Sequence, residues 1–272
     1  MHHYRRMRAT VFLVCLLSSA AQAHEVTIIP LRSHGEGHLA TVRIDDVPLQ
    51  AIIDTSGYST VGISPTALQK LHVHYGPGAI ERIDGEGHRF RGREFRIDRL
   101  QLGNSVFENV RGFERLEHDS GAFGGSPFEV SIGRDFLQHF TVVIDYPKNR
   151  IELHRYRAAP GVCRGSAADL LQSAGGVHYS VVMTGKEPLK LAWDTGATYS
   201  IIQERLVTSR GFDQEGERVT ARLSLGTRPL GSYRMIVMSL PGVPDLDGVL
   251  GDNFFAHHRV CLDYGRREVH VR

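Results

Sequence analysis

The chain of 272 residues contains two copies of one pattern. A constant offset of 140 carries His38, Pro48, Leu49, Asp54 and Thr55 onto His178, Pro188, Leu189, Asp194 and Thr195. Later in each copy Ile132-Gly133-Arg134-Asp135-Phe136 answers Leu250-Gly251-Asp252-Asn253-Phe254, and Val142, Asp145, Tyr146 and Ile151 recur as Val260, Asp263, Tyr264 and Val269. A duplication of this kind restricts the chain to two matching lobes. In both copies the aspartate ends an apolar run, Ala51-Ile52-Ile53 or Leu191-Ala192-Trp193, and small or hydroxyl residues follow before Val61 or Ile201-Ile202. That is a strand running into a tight loop. Facing lobes would bring the two acids together at their seam, where a close pair of carboxyls shares one proton and a water.

The second anchor recurs at an offset of 118, so the second copy is 22 residues shorter between its aspartate and its glycine. In the first copy this interval holds Gly76-Pro77-Gly78 and then a run from Arg82 to Phe90, two strands around a glycine-rich turn. It reads as a mobile hairpin with Gly85, Glu86, Gly87 and His88 at its tip, and His88 is a candidate substrate contact. The corresponding stretch around Glu215 to Ser232 keeps a strand pattern from Val219 to Leu225 but has no comparable tip, so the first lobe carries the lid.

Elsewhere the chain alternates apolar and polar residues at 38–44, 95–102 and 181–191, with turns at Asp45-Asp46 and Gly185-Lys186. Helices are few and short. Ser64-Pro65 starts one that reaches about Leu71, residues 203–209 form its partner, and 134–139 and 252–257 form a second pair. Residues 156–175, rich in Ala, Gly and Ser, contain the linker. The expected division is a signal peptide at 1–23, a first lobe at 24–157, a linker at 158–167 and a second lobe at 168–272.

Arg5, Arg6 and Arg8 before an apolar run from Val11 to Leu17, then Ala21-Gln22-Ala23, form an export signal with its cleavage site. That run is too short to span a bilayer, and a periplasmic or secreted protein starting at His24 is expected. Past residue 23, 29 Lys and Arg face 30 Asp and Glu with no basic stripe, which gives no footprint for nucleic acid or an anionic membrane. Cys163 and Cys261 remain after cleavage; they either form a disulfide between the linker and the last strands or stay apart. The 15 His lack metal-site spacing, so no metal and no cofactor is expected. Asp145-Tyr146 and Asp263-Tyr264 read as strand ends before turns, and the glycines from Gly121 to Gly125 as a surface loop.

Trp193-Asp194-Thr195-Gly196-Ala197, followed later by two apolar residues and Gly251, resembles the signature of pepsin-like and retropepsin-like aspartic proteases. The likeness covers nearly the whole chain after the leader, in the form of a bacterial exported protein with two tandem retropepsin-like lobes. It implies an all-β fold of two β-barrel lobes, arranged as a pseudo-dimer in a monomer with a few short helices. It further implies an aspartic endopeptidase acting on extended peptide or protein substrates. Asp54 and Asp194 would be the catalytic pair and Thr55 and Thr195 would bond across the axis. Ser56, Gly57, Gly196 and Ala197 would shape the loops, and Gly133 and Gly251 would pack beneath them. The first copy departs from the pattern, with Ser56 opposite Gly196. Its hydroxyl either points at Asp54 and favours the charged form, or crowds the water and leaves a peptide-binding protein without turnover.

Overall fold

The structure is a computed structural model that describes residues 26–34, 37–83, 87–115, 128–155, 161–210 and 212–272. The signal segment, the lid residues Gly85 and Glu86, and the glycines from Gly121 to Gly125 lie outside the described residues. The fold is all-β, with two barrel-like lobes and four short α-helices among the described residues.

Alternating burial makes the strands. Along Gly37–Ile44 the inward Ala40, Val42 and Ile44 are buried while Thr41, on the other face, is exposed. Asp45 and Asp46 both take positive φ, and the two-residue turn they form pairs Ile44 with Val47. In each lobe the sheet curls until distant strands meet, Gly37–Ile44 on Arg89–Leu102 in the first and His178–Thr184 on Arg218–Leu225 in the second.

The lobes share a six-stranded antiparallel sheet in the order Ser166–Asp169, Glu268–Val271, Arg259–Asp263, Phe140–Asp145, Arg150–Arg155 and the first half of Val26–His34. At its centre Val143 faces Cys261. These two residues are counterparts in the duplication, so the local two-fold axis passes between them. Val142, Ile144, Val260, Leu262, Val269 and Val271 are fully buried on this sheet and join the two lobes into one continuous apolar core. Cys163 and Cys261 form a disulfide that ties the linker to the central strand.

Two short strands, Ser166–Asp169 and Leu171–Gln172, occupy part of the stretch expected as linker. The small Ala167 and Ala168 let this segment lie along the sheet edge opposite His270 and Val269. The helices are shorter than their sequence patterns: Pro65–Leu68, Arg134–Leu137 and Asp252–Phe255 span four residues each. Ser64 caps the first, its Oγ accepting from the Ala67 N–H at 3.2 Å.

In the first lobe His74–Ile83 and Arg89–Leu102 form a long antiparallel hairpin, with a register irregularity at Gly76-Pro77-Gly78. A Cβ placed on Gly87 would lie 3.1 Å from Pro241 Cγ, so the hairpin reaches across to a second-lobe loop. The second lobe has only a stub in the matching place, Gln214–Glu215 folded back on Arg218 and Val219. Among the described residues no helix is long and apolar enough to cross a membrane.

Candidate active site

Three short strands place each aspartate. Val47–Ile53 runs parallel to Val130–Ile132, which pairs antiparallel with Val61–Ile63; Glu187–Trp193, Gly248–Leu250 and Ile201–Gln203 repeat the arrangement. The Asp54 N–H donates to the Ile132 carbonyl at 2.8 Å and the Asp194 N–H to that of Leu250 at 3.0 Å. Gly133 and Gly251 pass directly beneath the loops. A Cβ at either would overlap backbone, at Ser59 in one copy and at Tyr199 in the other, which is why both positions lack a side chain.

The two loops hold each other through their threonines. Thr55 Oγ1 donates to the Trp193 carbonyl at 2.6 Å and accepts from the Thr195 N–H at 3.1 Å. Thr195 Oγ1 donates to the Ile53 carbonyl at 2.5 Å and accepts from the Thr55 N–H at 3.1 Å. Both threonines are buried, so every bond forms away from competing water.

This grip brings Asp54 and Asp194 to one place. A Cβ built on Gly196 would lie 2.7 Å from Asp54 Oδ1 and 2.9 Å from Asp194 Oδ1, so the oxygens are no further apart than the sum of those distances. The same point lies 2.6 Å from Asp54 Cγ, and no side chain fits at 196. In the first copy the position holds Ser56. Its N–H and Oγ each donate to Asp54 Oδ1 at 3.0 Å, joined by the Gly57 N–H at 2.8 Å, and its hydroxyl lies near enough to Asp194 to favour that group's ionised form. Gly57 and Ala197 are loop counterparts, each donating its N–H to the carbonyl of its own aspartate at 3.3 Å. The ungapped match of Ser56 to Gly196 therefore holds in space.

The aspartates keep some exposed surface yet their carboxyls are hemmed in by protein, and that enclosure dominates their titration. Burial pushes Asp54 up, opposed by the Ser56 and Gly57 hydrogen bonds and by the Arg134 charge. Burial and then the Asp54 charge push Asp194 up to about 7, with a smaller push from Asp252.

Arg134 and Asp252, the residues that follow Gly133 and Gly251, are buried behind the dyad. Asp252 meets one copy of a duplicated His-Tyr pair. His38 Nδ1 is 3.0 Å from Asp252 Oδ2, the His38 ring stacks on Tyr146 at 3.9 Å, and Tyr146 and Asp252 are close enough to shift each other's titration. The equivalent His178 and Tyr264 lie edge to face at 4.8 Å on the other side of the axis. There burial, and then the Arg134 charge, hold His178 down to about 4. Burial and the carboxylates of Asp252, Asp194 and Asp54 keep Tyr146 protonated far into the alkaline range.

Arg134, Asp252, His38 and Tyr146 were absent from the site expected from sequence, although all four recur or contrast across the duplication. Asp145 and Asp263 do end their strands, but Tyr146 turns inward and is buried at the seam, where the dyad's field reaches it. Gly87 and His88 lie on the returning side of the hairpin tip, with His88 exposed. Among the described residues no three His, Cys, Asp or Glu side chains gather in a way that would hold a metal ion.

A family model described as aspartyl protease matches residues 40–136, which takes in the first aspartate loop, the long hairpin and Gly133. The chain is similar to that family over this stretch; the second copy lies beyond it. No curated protein matches the chain.

Proposed function

We propose that the protein is an exported aspartic endopeptidase that hydrolyses extended peptides through Asp54 and Asp194. One observation carries the reading: two duplicated carboxyls flank a single point at Gly196 and are held there by the mutual threonine bonds. Asp54, backed by Arg134 and bonded by Ser56 and Gly57, acts as the charged member and takes a proton from water. The water oxygen bonds the scissile carbonyl carbon while Asp194 gives its proton to the carbonyl oxygen. On collapse, Asp54 passes its new proton to the leaving amine and a hydroxyl of the intermediate returns one to Asp194. The peptide lies under the first-lobe hairpin and adds backbone hydrogen bonds as a further strand. A disulfide and a leader-like N-terminus support an exported chain.

The test is cleavage of a quenched peptide library between about pH 3 and 7, where carboxyls titrate. The parent should cleave; Asp54→Asn and Asp194→Asn should lose activity by at least about 1,000-fold. Equal cleavage by the Asn variants sinks the mechanism.

A second reading rests on Ser56. Its hydroxyl bonds Asp54 and lies near Asp194 where the other copy has only a glycine hydrogen, and there it competes with water. Under that reading the protein binds extended peptides without turnover. Ser56→Gly separates the two: it should switch cleavage on if the hydroxyl blocks water, and leave rates within a few-fold if the hydroxyl only steadies Asp54.

A further inference from the structure

Besides Arg134, two guanidinium groups rest on aromatic rings beside the aspartate loops. Arg82, on the outgoing arm of the first-lobe hairpin, has its Cζ 5.2 Å from the centre of the Phe113 ring, and Phe90 packs on the same ring at 6.0 Å. Phe113 pairs with Gly62, and a Cβ on Gly62 would be 3.1 Å from Ser59 Oγ in the Asp54 loop. One strand thus separates the ring under Arg82 from the first aspartate's loop. Arg218, at the start of Arg218–Leu225, has its Cζ 5.2 Å from the centre of the Tyr199 ring. Tyr199 belongs to the Asp194 loop, with its backbone against Gly251.

Both arginines are half-buried, and among the described residues neither meets a carboxylate. Their neighbours do: Arg89 pairs with Glu81, Arg93 with Glu114, Arg111 with Glu94 and Arg234 with Glu215. Arg82 Nε is sealed from solvent with no hydrogen-bond partner. A guanidinium laid on a ring is oriented and partly stripped of water, so an incoming carboxylate meets a charge that is poorly screened and already aimed.

We propose that Arg82 and Arg218 form an anion clamp that selects peptides carrying acidic side chains on either side of the scissile bond. The proposal rests on the peptidase reading. One arginine stands beside the aspartate loop of each lobe, so a peptide lying across the axis would present a different side chain to each.

The test maps cleavage sites in a mixed peptide library by mass spectrometry near pH 5.5, where Glu side chains are mostly ionised. Glu and Asp should be enriched at one position on each side of the cut. For matched Glu and Gln peptides, the ratio of kcat/KM should fall about ten- to hundred-fold in Arg82→Gln for one position and in Arg218→Gln for the other, the range of a charge-assisted hydrogen bond. Arg82→Glu should move the preference toward Lys, and thermal melts of each variant check folding. Cleavage without acidic enrichment, or an unchanged ratio in both variants, overturns the clamp and leaves the peptidase reading intact. If the parent cuts nothing, the peptidase reading fails. Fluorescence anisotropy with the same peptides then decides the clamp, and equal affinity for Glu and Gln peptides overturns it.

Discussion

Arg134 and Asp252 occupy the same position in the two copies with opposite charge. The Arg134 N–H donates to the Gly57 carbonyl at 2.9 Å, and the Asp252 N–H donates to the Ala197 carbonyl at 2.8 Å. The two-fold axis relates their backbones, so the electrostatic asymmetry of the dyad comes from side chains behind it. A cation behind Asp54 favours its ionised form and an anion behind Asp194 favours its neutral form.

The pH profile of cleavage should report that asymmetry. Activity requires one proton on the pair and is expected to fall as pH rises through about 7, where Asp194 ionises. Asp252→Asn removes a charge that raises Asp194, so the alkaline limb should move to lower pH by roughly 0.5–1 unit. Arg134→Met removes a charge that lowers Asp54, so the acid limb should move up. Profiles of kcat/KM that keep both limbs in place would refute this role.

Folding stability should carry the dyad's signature with a definite sign. Asp194 titrates at about 7 in the folded chain against an ordinary 3.8, so its contribution is full below about 4 and is lost as pH rises through about 7. His178, held down to about 4 from 6.5, acts in the opposite sense, contributing above about 6.5 and losing that contribution as pH falls through about 4. Asp194→Asn should therefore be more stable than the parent near pH 8, by on the order of 1–3 kcal/mol, and close to it near pH 4. Urea titrations at the two pH values check this; a variant less stable at both would contradict it.

The duplication made the lobes, the paired aspartates and the glycines beneath them legible, because each depends on local chain geometry that recurs wherever the motif recurs. The seam sheet was harder to see, since Phe140–Asp145 pairs with Arg259–Asp263 far along the chain and nothing local in either strand names its partner. Tyr146 shows the same limit. Asp-Tyr before a turn is ordinary strand-end chemistry, and only the folded chain reveals that the ring stacks on His38 within the field of Asp252. Ser56 was visible as a departure but ambiguous, because the sequence could not say whether its hydroxyl points at Asp54 or displaces water. The structure shows the bond to Asp54, with Asp194 close by.

The threonine grip is open to a graded test. Thr55→Ala strands the buried Trp193 carbonyl and the Thr195 N–H together, at a cost of about 2–4 kcal/mol. Thr55→Ser keeps the hydroxyl and should lose less than about 1 kcal/mol. Chemical denaturation separates the two, and equal losses in both variants would mean that the methyl group rather than the bonds matters.

The disulfide should act on stability without acting on chemistry. Cys163 and Cys261 are 98 residues apart, and closing that span restricts the unfolded chain. Replacing both with Ser should remove about 2–4 kcal/mol. The dyad itself is aligned by the threonine bonds and by the seam strands, which pair Arg259–Asp263 with Phe140–Asp145 along their length. Cleavage by the double variant should then match the parent within about two-fold at a temperature where both are folded, since no catalytic contact is lost. A large fall in kcat/KM at full folding, measured alongside circular dichroism, would show that the linker staple helps set the lobe geometry at the dyad.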